Sequence, residues 1–543
     1  MSESPLLSAR RKYQLHLPEI FENLASVCFE KNKETTSVSD AVEIKSLFPH
    51  LFGLSLLSAK TCKDKKDFPS FRVGVVLSGG QAAGGHNVII GLFDALKTLN
   101  PDSCLIGFLN GPSGIIDGNV HELDEEFVSP YRNTGGFDLI GSGRTKIETE
   151  EQLKSSLETI QKFKLDGLVV IGGDDSNTNA VVLAEYLIKN GCTTKVVGVP
   201  KTIDGDLRNE YVEMSFGFDT ACKTYSEMIG NLERDAISAK KYTHFVKLMG
   251  RSASHIALEC ALQTHPNYTF ISEEVLEKKL TIKCITKELA DLVEARSEKK
   301  KNYGVILIPE GLIEFIPEMK SLIEKLNDLL AGSEFASLDA SASIDKVKKT
   351  LKEELLKTFE FLPEGIQKQL LLDRDPHGNV QVSHINTEKL FMETVAKELK
   401  QRDFKGSFSP VAHFFGYEGR AGFPSNFDAT YCYALGYTAA ALIKEGLSGY
   451  MACVNNLLAD AKDWRVMGVP IISLMNLEMR KGKKKPVIQK ALVDLDKGPF
   501  ETFQKYRESW MLDDDYQFPG PIQFFGDPQI TDRPPEILKL ERS

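Results

Sequence analysis

Leu168–Asn179 reads LVVIGGDDSNTN, and Val196–Leu207 reads VVGVPKTIDGDL. In each, an apolar run of strand length closes on a polar turn, and a helical stretch lies between the two. Continuous apolar runs belong to strands buried on both faces. Strand, loop, helix, strand is the alternation of a doubly wound α/β sheet, where ligands gather at the carboxyl ends of the strands. One sheet edge would then carry Asp174, Asp175, Asp204 and Asp206. A single aspartate after a strand is more often a cap or turn former, but four at equivalent ends mark the expected seat of chemistry.

The pattern extends in both directions. Phe71–Leu77, FRVGVVL, is another buried strand; it runs into SGGQAAGG (Ser78–Gly85) and then an amphipathic helix, His86–Leu99. A glycine turn ahead of a helix lets backbone N–H groups approach an anion closely, although the turn matches neither GxxxxGK[ST] nor GxGxxG and a plain tight turn is the other reading. Gly107–Gly118 and Tyr131–Thr149 are glycine-rich and bring Arg132, Arg144 and Lys146. They read either as a loop closing over phosphate or as a solvated surface loop.

A second block of the same kind follows. HFVKLMG (His244–Gly250) is a strand that leads through Arg251 into a helix at Ala253–Leu262, and VILIPEG (Val305–Gly311) is the next strand. Arg251 and Glu310 would face a cleft from strand ends, or be ordinary surface charges. Residues 316–400 are helical and charged, broken by Ala331–Ser343, and read as an insertion or cap. Phe414–Ile443 returns to a glycine turn with Arg420 and then a small-residue helix suited to close packing. The basic run Arg480–Lys485 reads as a solvated loop.

The chain has 543 residues, 42% hydrophobic and 26% charged, so two or three domains are expected at roughly 100–200 residues each. A net charge of −10 argues against nucleic acid as the main partner. Nine scattered cysteines without a CxxC pair suggest neither a disulfide framework nor a structural zinc site. The N-terminus lacks a secretory apolar run, and no stretch approaches the ~20 apolar residues of a spanning helix; the expectation is a cytosolic protein. Residues 1–70 show helical spacing at Leu15, Leu17, Ile20, Phe21 and Leu24 and read as an extension packed on the main body.

Taken together, LSGGQAAGGHNV, YRNTGGFDLIGSGR, GGDDSNTN, PKTIDGDL, SFGFDTA, KLMGRSASHIALECALQTHPN, PEGLI, GYEGR and PVIQKALV resemble the phosphofructokinase family, and within it the long, pyrophosphate-dependent branch, from about Phe71 to Phe500. The resemblance implies two Rossmann-like domains with helical insertions: residues 71–215 with 421–478 for pyrophosphate and magnesium, and residues 216–420 for fructose 6-phosphate. Residues 1–70 and 479–543 would flank them. It implies phosphoryl transfer from Mg2+-bound pyrophosphate to O1 of fructose 6-phosphate, reversible, in glycolysis.

By the same resemblance, Gly79, Gly80, Arg144 and Lys201 would hold pyrophosphate and Asp174 the Mg2+. Asp204 would be the general base, with Asp175 and Lys201 also in the catalytic set; Thr202 would support the transferring phosphoryl, and Thr202, Ile203 and Asp204 would contact the substrate. Met249, Gly250, Arg251, Glu310, Tyr417, Glu418, Gly419 and Arg420 would grip the sugar phosphate. Lys241 and Tyr242 would reach a neighbouring subunit's site, so a homodimer at least is expected. The family often has proline where Ala83 stands, and the glycines around it are kept. An ATP-dependent kinase, a non-catalytic subunit and a nucleotide-dependent dehydrogenase are the rivals. Phosphoryl transfer needs a metal, cations and one base; a non-catalytic subunit would not need Asp174, Asp204 and Arg251 together, and a dehydrogenase would need the absent GxGxxG turn.

Overall fold

The computed structural model describes residues 5–63, 68–330, 340–372, 380–480, 483–522 and 526–541. The chain divides into two compact units: Met1–Ala221 with Glu418–Ala491 and Ile522–Lys539, and Cys222–Tyr417 with Leu492–Pro521 and Leu540–Ser543. In chain order the strands are β1 (Val27–Glu34), β2 (Ser55–Thr61), β3 (Arg72–Ser78), β4 (Cys104–Phe108), β5 (Val120–Leu123), β6 (Ser142–Gly143), β7 (Gly167–Gly172), β8 (Lys195–Pro200), β9 (Thr243–Leu248), β10 (Tyr268–Thr269), β11 (Gly304–Pro309), β12 (Pro410–Phe415), β13 (Tyr450–Asn455), β14 (Arg465–Pro470), β15 (Met475–Arg480) and β16 (Lys483–Ile488). Among the described residues no helix is long and apolar enough to cross a membrane.

The first unit is built on a sheet in the order β1-β2-β14-β13-β8-β7-β3-β4-β5, with β6 paired to the end of β3. Its centre, β13-β8-β7-β3-β4, is parallel. Along the chain these five strands run 2-1-3-4-5, which puts the topological switch between β3 and β7, where the carboxyl ends open a crevice for a ligand. Val76, Leu168, Val170 and Val196 bury one face against Ala180, Val181 and Ala184 of the helix Asp174–Lys189. The small-residue helix Asn426–Lys444 lies against Gly85–Leu99 so closely that a Cβ on Gly91 would fall 2.3 Å from the Tyr433 carbonyl oxygen. That approach is why glycine stands there.

The second unit holds a parallel sheet in the order β10-β11-β9-β12. Ile306 and Ile308 pack there with Leu289, Val293, Leu326 and Leu390 from the surrounding helices. Helices Pro317–Leu330, Glu353–Phe361, Glu364–Leu372 and Thr387–Gln401 occupy the region read as an insertion. Of Ala331–Ser343, residues 331–339 lie outside the described residues, and a helix begins at Ala340.

Four expectations are corrected. The helical spacing read in residues 1–70 does not make an amphipathic α-helix: Leu15 and Leu17 lie outside any helix, Glu19–Ser26 is 3-10, and the segment joins the main sheet through β1, β2 and β14. Of the five spaced residues, Ile20, Phe21 and Leu24 fall in that short 3-10 helix and none in a strand, while the charges of VCFEKNKE protect an exposed sheet edge. Cys28 and Cys62, at the paired ends of β1 and β2, form a disulfide, which their wide sequence spacing concealed. Of the run Arg480–Lys485, residues 481–482 lie outside the described residues, and the rest is not loop: Arg480 ends β15 and Lys483–Lys485 begin β16, an antiparallel pair whose far ends Met475 and Ile488 are buried. Residues 479–543 are not one segment, since they divide between the two units.

Candidate active site

At the end of β3, Gly79 takes φ +88°, a conformation that favours glycine. Its N–H donates to the Gly143 carbonyl (2.9 Å), and the Ser142 hydroxyl donates to the Gly79 carbonyl (3.1 Å). The SGGQ turn and the loop bearing Arg144 are thereby one structure. A Cβ on Gly79 would lie 3.4 Å from Lys201 Nζ and 3.8 Å from Ser176 Oγ; one on Gly80 would lie 3.7 Å from Arg420 Nη1 and 3.9 Å from Arg144 Nη2. Three cations from distant parts of the chain thus converge on a bare backbone turn, an arrangement suited to a polyanion.

The three cations of the glycine-rich stretch have different tasks. Arg132 grips Asp94 in two hydrogen bonds of 2.8 and 2.9 Å and is structural. Lys146 Nζ lies 3.1 Å from Asp175 Oδ1. Arg144 is the one that reaches the glycine turn.

Next to β3, β7 delivers Asp174 and Asp175 into the first turn of the helix Asp174–Lys189, where negative charge complements the helix dipole. The Asn177 amide donates to the Gly172 and Gly173 carbonyls at 2.7 and 2.9 Å and fixes the turn. From β8, the Lys201 N–H donates to the Gly172 carbonyl (3.0 Å), which draws the two strand ends level. The Asp204 N–H donates to Thr202 Oγ1 (3.0 Å), and the Ser215 hydroxyl of the SFGFDTA stretch supports the Thr202 carbonyl (3.0 Å).

The charges here are interdependent. Lys201 is buried, and that burial pulls its ammonium down to about 8, opposed by Asp204, Asp174 and Asp206 and reinforced by Arg144. Burial, with Asp204 next, pushes the Asp206 carboxyl above the usual carboxylate range; Asp174 adds to the shift and Lys490 opposes it. Lys490 Nζ stands 3.6 Å from Asp174 Oδ2 and 3.5 Å from Asp206 Oδ2.

No cluster of three or more His, Cys, Asp or Glu able to hold a metal occurs among the described residues. Magnesium does not require one, because it is commonly held by one or two carboxylates together with substrate phosphates and water. The hard, partly exposed Asp174 carboxylate, among acids whose mutual repulsion a cation would relieve, fits that ion.

In the second unit the sugar-side candidates also stand at strand ends. Leu248 is level with Pro309 and Phe415, so Met249, Glu310 and Gly416 share one edge. The Met249 N–H donates to the Phe415 carbonyl and the Glu310 N–H to the Leu248 carbonyl, both at 2.9 Å. The Gly250 N–H reaches Glu310 Oε2 (3.2 Å); Glu310 is buried and Arg251 is exposed. Tyr417 is exposed and meets Phe414 edge-on. Lys241 and Tyr242 precede β9 and lie at the opposite edge, about 20 Å away along a six-residue strand. Glu418, Gly419 and Arg420 belong to the first unit.

Residue pattern alone does not single out Ser176 or Lys490. Ser176 Oγ, in the first turn of the helix Asp174–Lys189, donates to Ser78 Oγ at the end of β3 (2.8 Å). Lys490 sits inside PVIQKALV, a motif of the family resemblance to which no role attaches.

Residues 72–443 match the family model described as Phosphofructokinase. Pyrophosphate–fructose 6-phosphate 1-phosphotransferase of Treponema pallidum is 51% identical over 559 residues, covering 100% of this chain and 98% of its own. The subunit beta 2 of the enzyme so named in Arabidopsis thaliana is 53% identical over 96% of this chain and 92% of its own. A pyrophosphate-dependent phosphofructokinase from Nitrosospira multiformis shares the fold at TM-score 0.54 and 16% identity, over 85% of this chain and 96% of that one.

Proposed function

The chain belongs to the phosphofructokinase family, and we propose that it is a pyrophosphate-dependent enzyme of that family. It transfers a phosphoryl group reversibly from pyrophosphate to O1 of fructose 6-phosphate, giving fructose 1,6-bisphosphate and phosphate, as a step of glycolysis. The observation that carries this reading is the convergence of Lys201, Arg144 and Arg420 on the Gly79–Gly80 turn, beside the acids that follow β7 and β8.

In the forward direction Asp204 accepts the proton of the sugar 1-hydroxyl while the new O1–P bond forms and the bridging P–O bond of pyrophosphate breaks. The departing phosphate keeps that electron pair and stays beside Lys201, whose charge, with that of Arg144, stabilises the transition state more than the ground state. Thr202 and Ile203 hold the turn that aims Asp204. Asp174 would hold Mg2+, which when bound supplies charge neutralisation between the two phosphates. Asp175 opposes a third phosphate at this position, as a nucleotide would bring.

Met249, Gly250, Arg251, Glu310 and Tyr417 of the second unit are assigned to the sugar phosphate; Glu418, Gly419 and Arg420, which the same resemblance assigns to it, belong to the first unit. Lys241 and Tyr242, at the far edge of that sheet, serve a second copy, so the working form is a homo-oligomer, a homodimer at least. The compartment we assign is the cytoplasm. Purified protein assayed with pyrophosphate and with ATP tests the reading: turnover is expected with pyrophosphate, and comparable turnover with ATP would overturn it.

A further inference from the structure

Lys490 lies beyond residues 72–443, the stretch that the family model matches. Its position is built rather than incidental. The hairpin β15–β16 buries Met475 and Ile488 in the same core as Ala180, Val181 and Ala184 of the helix that starts with Asp174. Lys485 of the hairpin reaches Glu148 Oε2 (2.8 Å), four residues beyond Arg144. Just downstream, the Gln489 N–H donates to the Leu474 carbonyl and the Ala491 N–H to the Asp206 carbonyl, both at 2.8 Å. Backbone bonds on both sides therefore aim Lys490 at the acids, and its ammonium stands between Asp174 and Asp206 while remaining about one third exposed.

We propose that Lys490 is a pyrophosphate-binding residue of the donor site, a counter-cation that balances Asp174 and Asp206 before the donor arrives and gives its charge to the phosphate once Mg2+ takes its place. This inference rests on the donor reading given above. It has a consequence of mixed sign. Free Mg2+ competes with the lysine for the same carboxylates, so removal of the ammonium favours the bare ion. Magnesium pyrophosphate is an anion, so the same removal disfavours the complex. A lysine that only maintained the local structure would weaken both.

The test uses the full chain with Lys490→Met and Lys490→Arg, titrated calorimetrically with Mg2+ alone and with Mg2+ plus imidodiphosphate, a pyrophosphate analogue that is not turned over. The expected result for Lys490→Met is roughly ten- to a hundredfold weaker analogue binding, with Mg2+ alone bound at least as tightly as by the wild type. Lys490→Arg should recover most of the analogue affinity, and the KM for fructose 6-phosphate should not move. Unchanged analogue binding in Lys490→Met, or parallel weakening of both titrants, would overturn the inference while leaving the donor reading intact. Failure of the wild type itself to bind the analogue would overturn the donor reading, and this inference with it.

Discussion

Lys146 Nζ and Asp175 Oδ1 stand 3.1 Å apart, with both side chains about half exposed. The acid beside the proposed metal ligand is therefore already paired with a cation from the loop that carries Arg144. Two unit charges ~4 Å apart at an effective dielectric near 20 repel by about 4 kcal/mol. Exposure and Lys146 reduce the repulsion Asp175 exerts on a further phosphate to about 1–2 kcal/mol, a factor of roughly 5–30. Asp175→Gly should lower kcat/KM for pyrophosphate and raise it for ATP by about that factor. Lost pyrophosphate activity with no gain on ATP would instead make Asp175 a structural partner of Lys146.

The Asp204 turn is held by Thr202 and Ser215, so an amide should replace the acid without moving the backbone. General base catalysis contributes ~10²–10⁴ in rate. Asp204→Asn should lose that much kcat with little change in either KM or melting temperature. Near-wild-type kcat would remove Asp204 from the role of base.

Gly79 combines positive φ with a position where a Cβ would touch Lys201 Nζ and Ser176 Oγ. A side chain here costs about 1–2 kcal/mol in backbone strain and its Cβ enters the donor turn. Gly79→Ala should raise the KM for pyrophosphate severalfold and leave that for fructose 6-phosphate unchanged. Equal rises in both would mean that the turn serves the fold rather than the donor.

In the second unit His244 is 4% exposed and its Nδ1 lies 2.9 Å from His413 Nε2. Burial, then His413, pulls the His244 imidazole down to about 4, with Asp235 opposing. In the unfolded chain the ring titrates near 6.5, so between about pH 6.5 and 4 the unfolded state binds the extra proton and stability falls as pH falls. The loss is of the order of 1–3 kcal/mol. His244→Gln should flatten the pH dependence of the melting temperature across that window. A variant curve parallel to wild type would assign the acid sensitivity elsewhere.

Lys241 and Arg251 lie beyond opposite ends of β9. If Lys241 serves the partner's site, Lys241→Ala and Arg251→Ala chains, each nearly inactive alone, should regain part of the wild-type rate when mixed and reassembled, because hybrid dimers contain one site with neither substitution. No recovery in mixtures shown by sedimentation to exchange subunits would place both residues in one chain's site.

The alternation of apolar runs with glycine and acidic turns makes the α/β class legible in the residues themselves. A parallel strand buried on both faces must be apolar throughout and must end in a polar turn, and both requirements are local. Asp174, Asp204, Gly79 and Glu310 are legible in this way because each follows such a run closely. Residues 1–70 and the basic run near Arg480 defeat the same reading for a related reason: edge strands and hairpins take much of their stability from pairing with partners, so their own residues carry a weak signal.

The sequence by itself determined which residues stand at strand ends, and through its motifs the family of the chain. Tertiary structure decided which ends are neighbours: the switch between β3 and β7, the pairing of Arg132 with Asp94 that leaves Arg144 to reach Gly80 alongside Arg420, and the placing of Lys490 between Asp174 and Asp206. These relations depend on sheet order and on packing between segments far apart in the chain. A lysine has the same local pattern whether it faces water or a buried pair of acids, and only the fold brings the acids to it.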